Sequence, residues 1–218
     1  MEIFDELPDL TEPFLFAPWA GRLPGGNPDL ISLLPVGSIN AAYESPEVSG
    51  SGSEWAVACI LLADPFLRAS DLVRSLGSRG FRRVANFPTV QVIDGEAGRA
   101  LDMAEMGGAR EIAALEFLLR AGFDVVPFAC SLAVARGIAR IGAQRIVLHP
   151  GVPVLDWRHR ASAAIGLVQT AQALRRENPG LEILVYDCPG YGAELRPALE
   201  SGDGIVRWRR RTGQLNRS

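Results

Sequence analysis

The chain has 218 residues, 48% of them hydrophobic, and a formal net charge of −3, which allows one full core and gives no basic excess to suggest a nucleic-acid partner. It contains no lysine, so chemistry through a lysine Schiff base, including that of pyridoxal phosphate enzymes, is excluded. No apolar run approaches the roughly 20 residues of a membrane span, MEIFDELPDL lacks a signal-peptide pattern, and Cys59, Cys130 and Cys188 show no paired spacing, so a protein of the reducing cytoplasm, without membrane or disulfide frame, is expected.

Residues 1–12 are expected to form a short helix or arm, and 13–17 (PFLFA) a strand. The turn-rich loop 18–28 carries Arg22, whose guanidinium suits bidentate contact with an anion. A short apolar stretch, 30–35, and a turn around Asn40 follow, and then the Gly/Ser segment 45–53, expected as a flexible surface loop inside a single domain spanning 1–218. The next stretch reads as a β-α-β unit. Apolar runs at 55–62 and 83–87 flank a helical pattern at 65–77 that puts Phe66, Leu67, Leu72, Val73 and Leu76 on one side.

After Gly95 the chain is polar to Gly108. Helices are expected at 109–121, with Glu111 near the N-terminal end, and at 133–142, 162–176 and 193–201; strands are expected at 123–129, 145–149, 181–186 and 204–208. Seven strands thus alternate with helices, and polar residues gather just after strand ends: Arg22, Asp64, Asn86, Asp94, His149 and Asp187. In a (β/α)8 barrel these ends share one mouth; in an open doubly wound sheet they line a crevice. Patterning alone leaves both open, and the glycine fingerprints of dinucleotide and P-loop sites are missing.

His149, at a strand end before Pro150-Gly151, is the natural general acid or base. Asp64 and Asp94 suit either turn and cap roles or a divalent ion such as Mg²⁺. Asn86 and Thr89 suit contacts to carboxylate or enolate oxygens, and Glu111 suits acid–base work or interaction with the helix dipole.

The set DPF at 64–66, GF at 80–81, NFPTV at 86–90, IDG at 93–95, MG at 106–107 and H-x-G at 149–151 resembles the phosphoenolpyruvate hydrolase-like family of TIM barrels, a module also found in tobamovirus-resistance-type plant proteins. The resemblance implies a (β/α)8 barrel. The family's opening glycine-rich strand and helix have no counterpart ahead of 13–22, so an incomplete or atypical first β-α unit is expected, with edges covered by the N-terminal arm or by another copy in a homo-oligomer. The resemblance also implies an enzyme that cleaves a small anionic oxo- or enol-carboxylate hydrolytically or as a lyase. His149, Asp64 and Glu111 would be catalytic, and Arg22, Asn40, Asn86, Thr89 and Asp94 would bind substrate. The competing expectation is a barrel that has lost catalysis and serves binding or assembly, because the family's Tyr-Asn-Ser-Gly-Arg, Gly-Asp-Ala-Asn and late rim motifs survive only in part, at Gly21-Arg22 and Asn40.

Overall fold

The apolar runs become staves of one parallel sheet in the computed structural model, which describes residues 1–8, 10–23, 27–33, 39–45, 48 and 54–209. The strands are β1 (Glu2–Phe4), β2 (Phe14–Phe16), β3 (Ala56–Cys59), β4 (Arg83–Ala85), β5 (Asp124–Val125), β6 (Phe128–Ala129), β7 (Arg145–Leu148), β8 (Glu182–Asp187) and β9 (Gly204–Trp208). Their order is β5-β4-β3-β2-β1-β9-β8-β7-β6, and every pairing is parallel. β5 and β6 are two halves of the expected strand 123–129. Val126 N–H still bonds Val84 on one side, while Pro127 C=O already accepts from Val147 on the other. One stave therefore pairs both ways and closes the ring, giving the barrel that periodicity could not separate from an open sheet.

The atypical first unit expected from the sequence is found, and the opening residues expected to cover its edges do so as a strand. Glu2–Phe4, read as part of an arm, is the first stave: Ile3 pairs with Leu15 on one side and Trp208 on the other and is fully buried. What the first unit lacks is its helix, since the β1–β2 connection contains none among its described residues. Acids at positions 2, 5 and 6 leave Ile3-Phe4 too little apolar sequence to register as a strand.

The helices are α1 (Pro28–Ile31), α2 (Ala69–Ser78), α3 (Gly95–Met103), α4 (Gly108–Arg120), α5 (Leu132–Arg140), α6 (Trp157–Glu177) and α7 (Arg196–Ser201). Local chemistry sets their starts: the Ser131 side chain accepts from Val134 N–H at 3.3 Å to begin α5, and Asp156 accepts from Arg158 N–H at 2.9 Å to begin α6. That aspartate starts α6 five residues ahead of the expected boundary. α2 starts four residues late, because Asp64-Pro65 makes a turn and leaves Phe66 exposed instead of on the apolar face. α3 lies inside the stretch read as merely polar; it buries no residue, and its sequence, GEAGRALDM, is rich in glycine and charge. Most of the expected loop 45–53 lies outside the described residues.

The barrel interior is filled at the mouth by aromatic rings. Phe87 is their hub, with ring centroids 5.9 Å from Trp19, 4.7 Å from Phe128, 5.6 Å from Tyr186 and 5.9 Å from Trp208. If β1 is a stave, Ile3→Ala should lower unfolding free energy by about 2–5 kcal/mol, the usual loss for a buried isoleucine, measured by denaturant titration. A loss within the roughly 0.5 kcal/mol of a surface change would return these residues to an arm.

Candidate functional site

Two buried polar clusters meet at the C-terminal end of the barrel. The first surrounds Glu111, in the first turn of α4. Its carboxylate accepts from Asn86 Nδ2 at 2.8 Å, Thr89 Oγ1 at 2.6 Å, Gln91 Nε2 at 2.7 Å and Val90 N–H at 3.0 Å. Asn86 in turn accepts Phe128 N–H at 2.7 Å and donates to Phe128 C=O at 3.1 Å, and Gln91 accepts Cys130 N–H at 2.9 Å. Asn86, Thr89 and Glu111 are sealed from solvent, and their polar atoms are committed to one another and to the backbone. Here the three residues expected at the substrate or in catalysis fasten the wall behind the mouth. Burial pushes the Glu111 carboxyl above the usual carboxylate range, while the bonds from Gln91, Thr89, Asn86 and Val90 pull it back.

The second cluster brings together Asp29 from α1, His149 just after β7 and Cys188 just after β8, all buried. Their ligand atoms lie within 4.8 Å of one another. Asp29 Oδ2 is 3.4 Å from His149 Nε2 and accepts from the Cys188 thiol at 3.4 Å. Asp29 Oδ1 accepts from the Tyr186 hydroxyl at 3.0 Å, which itself accepts from Trp208 Nε1 at 2.8 Å. Gly151 N–H donates to His149 Nδ1 at 2.9 Å. The glycine is required there, because its φ of +84° lies in the left-handed region.

That bond fixes the imidazole's role. A neutral ring whose Nδ1 accepts carries its proton on Nε2, which faces the cluster. The spacing of the three groups would suit a metal ion, but a metal-bound histidine ordinarily donates through its second nitrogen, and here that nitrogen accepts. The geometry is that of donors around a carboxylate. The Cys188 thiol is pushed above its ordinary range by burial first and by the Asp29 charge second, and Tyr186 likewise, so both are protonated donors.

A cavity of about 580 Å³ adjoins this cluster. Cys188, Tyr191, Arg207, Trp208 and Arg209 line it, with Glu2 and Asp187 adding negative charge. It lies over the ends of β8 and β9, the seventh and eighth staves, where barrels commonly bind anionic groups.

The other expected residues lie elsewhere. Asn40 binds the backbone of Leu61 through both ends of its amide, at 3.0 Å each, and donates to Asp64 Oδ2 at 3.2 Å. Asp64 Oδ1 caps Phe66 N–H at 2.9 Å. Asp94 is exposed at the start of α3. Asp64 is thus used locally, and neither it nor Asp94 belongs to the three-residue ligand cluster found among the described residues. Arg22 closes a 3-10 turn after β2, and its side chain lies outside the described residues. Of the expected residues whose side chains are described, His149 alone stands in the mouth cluster. Asp29, Tyr186, Cys188 and Gln91 were missed. Asn27-Pro28 is a helix-start signal that foretells α1, but nothing in it foretells an inward carboxylate.

A model of the phosphoenolpyruvate hydrolase-like family matches residues 23–177. The chain belongs to that family. It is 32% identical over 174 residues to the ToMV susceptible protein tm-1(GCR26) of Solanum lycopersicum, a match covering 75% of this chain and 23% of the tomato protein. It is 31% identical over 144 residues to protein y4oT of Sinorhizobium fredii, covering 66% of this chain and 72% of that one. Among solved structures, FabK from Thermotoga maritima shares 13% identity at a TM-score of 0.38, covering 75% of this chain and 53% of the other. The chain thus spans about a quarter of the tomato protein. No helix among the described residues is long and apolar enough to cross a membrane.

Glu111→Gln should destabilise the fold by about 1–3 kcal/mol, because an amide offers one acceptor oxygen where four donors converge, leaving at least one buried donor unsatisfied. It should also flatten part of the pH profile. A raised carboxyl pKa means that the folded state holds the proton more tightly, so this group's contribution declines as pH rises from the ordinary carboxylate value through the shifted one. Urea titrations of both proteins across that window check the two outcomes.

Proposed function

We propose that this member of the phosphoenolpyruvate hydrolase-like family is an enzyme that cleaves a C–O or C–C bond in a small anionic oxo- or enol-carboxylate. One observation carries the reading: three loops deliver Asp29, His149 and Cys188 to a single buried cluster beside a 580 Å³ cavity that holds Arg207 and Arg209. Cleavage next to a carboxylate leaves an oxygen- or carbon-centred anion that must be protonated. His149 Nε2 and the Cys188 thiol are protonated groups in the mouth, and Arg207 supplies charge at the cavity rim for the substrate's anionic end, Arg209 being paired with Glu2 at 3.1 Å.

A binding or assembly module without catalysis is the second reading. Its support is that His149 is wholly enclosed, with Gly151 on one nitrogen and Asp29 facing the other.

Turnover of phosphoenolpyruvate and small oxo-acids, followed by product release, separates the two. The enzyme reading expects activity that falls about 100-fold or more in His149→Ala, in line with loss of a general acid. It also expects Arg207→Ala to raise KM while kcat changes less. Equal rates in protein and buffer for every compound would leave the module.

A further inference from the structure

We infer that the Tyr186 hydroxyl, the Cys188 thiol and His149 Nε2 form a receptor for a ligand's carboxylate group, and that Asp29 fills this receptor from within until such a ligand displaces it. The inference rests on reading the mouth as the substrate site.

α1 is four residues long and sits at the surface: Leu30 is 41% exposed, whereas Asp29 is 1% exposed. This short element sends a single carboxylate inward, onto donors that belong to two other loops and to β8. Among the described residues no arginine pairs with Asp29; its ion-pair contact is with His149 alone. A buried carboxylate held by a phenol, a thiol and a distant imidazole is weakly compensated for the water it has lost.

The donors are, by contrast, well prepared. Trp208 Nε1 fixes the Tyr186 hydroxyl from behind at 2.8 Å, so that its proton points to Asp29. Gly151 holds the proton of His149 on Nε2, and that nitrogen has no hydrogen-bond partner although it is fully buried. The set is therefore built for a carboxylate and only partly satisfied by the one it has. Cys188 and Trp208 also line the 580 Å³ cavity, so a ligand seated against these two residues can present its carboxylate to the same donors.

The test is acetate binding, which needs no turnover, measured by calorimetry and by Tm on the unaltered protein and on Asp29→Ala. Acetate should bind the variant with a Kd at least tenfold lower than the unaltered protein and raise the Tm of the variant alone, with chloride at equal ionic strength giving neither effect. Adding Tyr186→Phe should abolish most of that gain. Equal affinity in both proteins, a gain that persists without the Tyr186 hydroxyl, or the same gain from chloride would each overturn the inference. Should Asp29→Ala fail to fold, hydrogen exchange on the unaltered protein decides. Pyruvate should speed exchange at Ile31 and Ser32, whose amides close α1 onto Asn27 and Pro28; unchanged or slower exchange counts against displacement. Acetate rescue without turnover would keep the receptor and remove the enzyme, and turnover without rescue would do the reverse.

Discussion

A closed parallel ring must pair every stave on both sides, and here one stave does so by changing the kind of partner it uses. Along residues 124–130 the amides of Asp124 and Val126 bond the backbone carbonyls of Arg82 and Val84. The next two in the series, Phe128 and Cys130, bond the side-chain oxygens of Asn86 and Gln91 instead. Pro127, which has no N–H, sits where the segment turns its other edge to β7. Side-chain amides thus continue the ladder where β4 ends, and Glu111 holds both of them in place. Deep inside the wall, where water cannot substitute, those groups have to be matched within the protein.

The mouth inherits its geometry from this seam. His149 N–H bonds Ala129 C=O at 2.9 Å, so the histidine is set by the stave that Asn86 and Gln91 secure. Phe87, between Asn86 and Thr89 in sequence, packs on Phe128 and Tyr186, and His149 packs on Tyr186 at 4.8 Å. The four-residue stretch NFPT therefore divides its work: Asn86 and Thr89 face the seam, and Phe87 supports the rings under the Asp29 cluster. At the end of β4 the adjacent side chains of Asn86 and Phe87 point opposite ways, and Thr89 returns to the Asn86 side to bond Glu111.

Much of the frame was legible in the residues. The buried strands near 55–62, 83–87, 145–149 and 181–186 read well because a parallel sheet flanked by helices demands unbroken apolar runs. β1 did not, since Ile3 is its one fully buried residue and acids stand on both sides of Ile3-Phe4, leaving no apolar run. α3 did not, since GEAGRALDM is rich in glycine and charge and buries no residue. At the site, His149 was legible from its place at a strand end. The uses of Asn86, Thr89 and Glu111 were not, because residue type and loop position look alike whether an amide faces a ligand or a neighbouring backbone. Asp29 and Cys188 were invisible for a different reason: they meet across 159 residues, and no local pattern encodes a contact of that range.

The ring has one join unlike the others. Most neighbouring staves lie within a few tens of residues of each other along the chain, but β1 meets β9 across a separation of 204, as in the bond from the Met1 ammonium to Ile205 C=O. The entropy of closing a loop grows with its length, and contacts of this range are the slow ones to form. β1 is the keystone of the wall, and the order of assembly follows from its place. β1 joins β2 by a near-neighbour contact, Ile3 against Leu15, as the other staves join theirs, so the β1–β9 seam is expected to close last, leaving one edge of each strand open to foreign strands until it does.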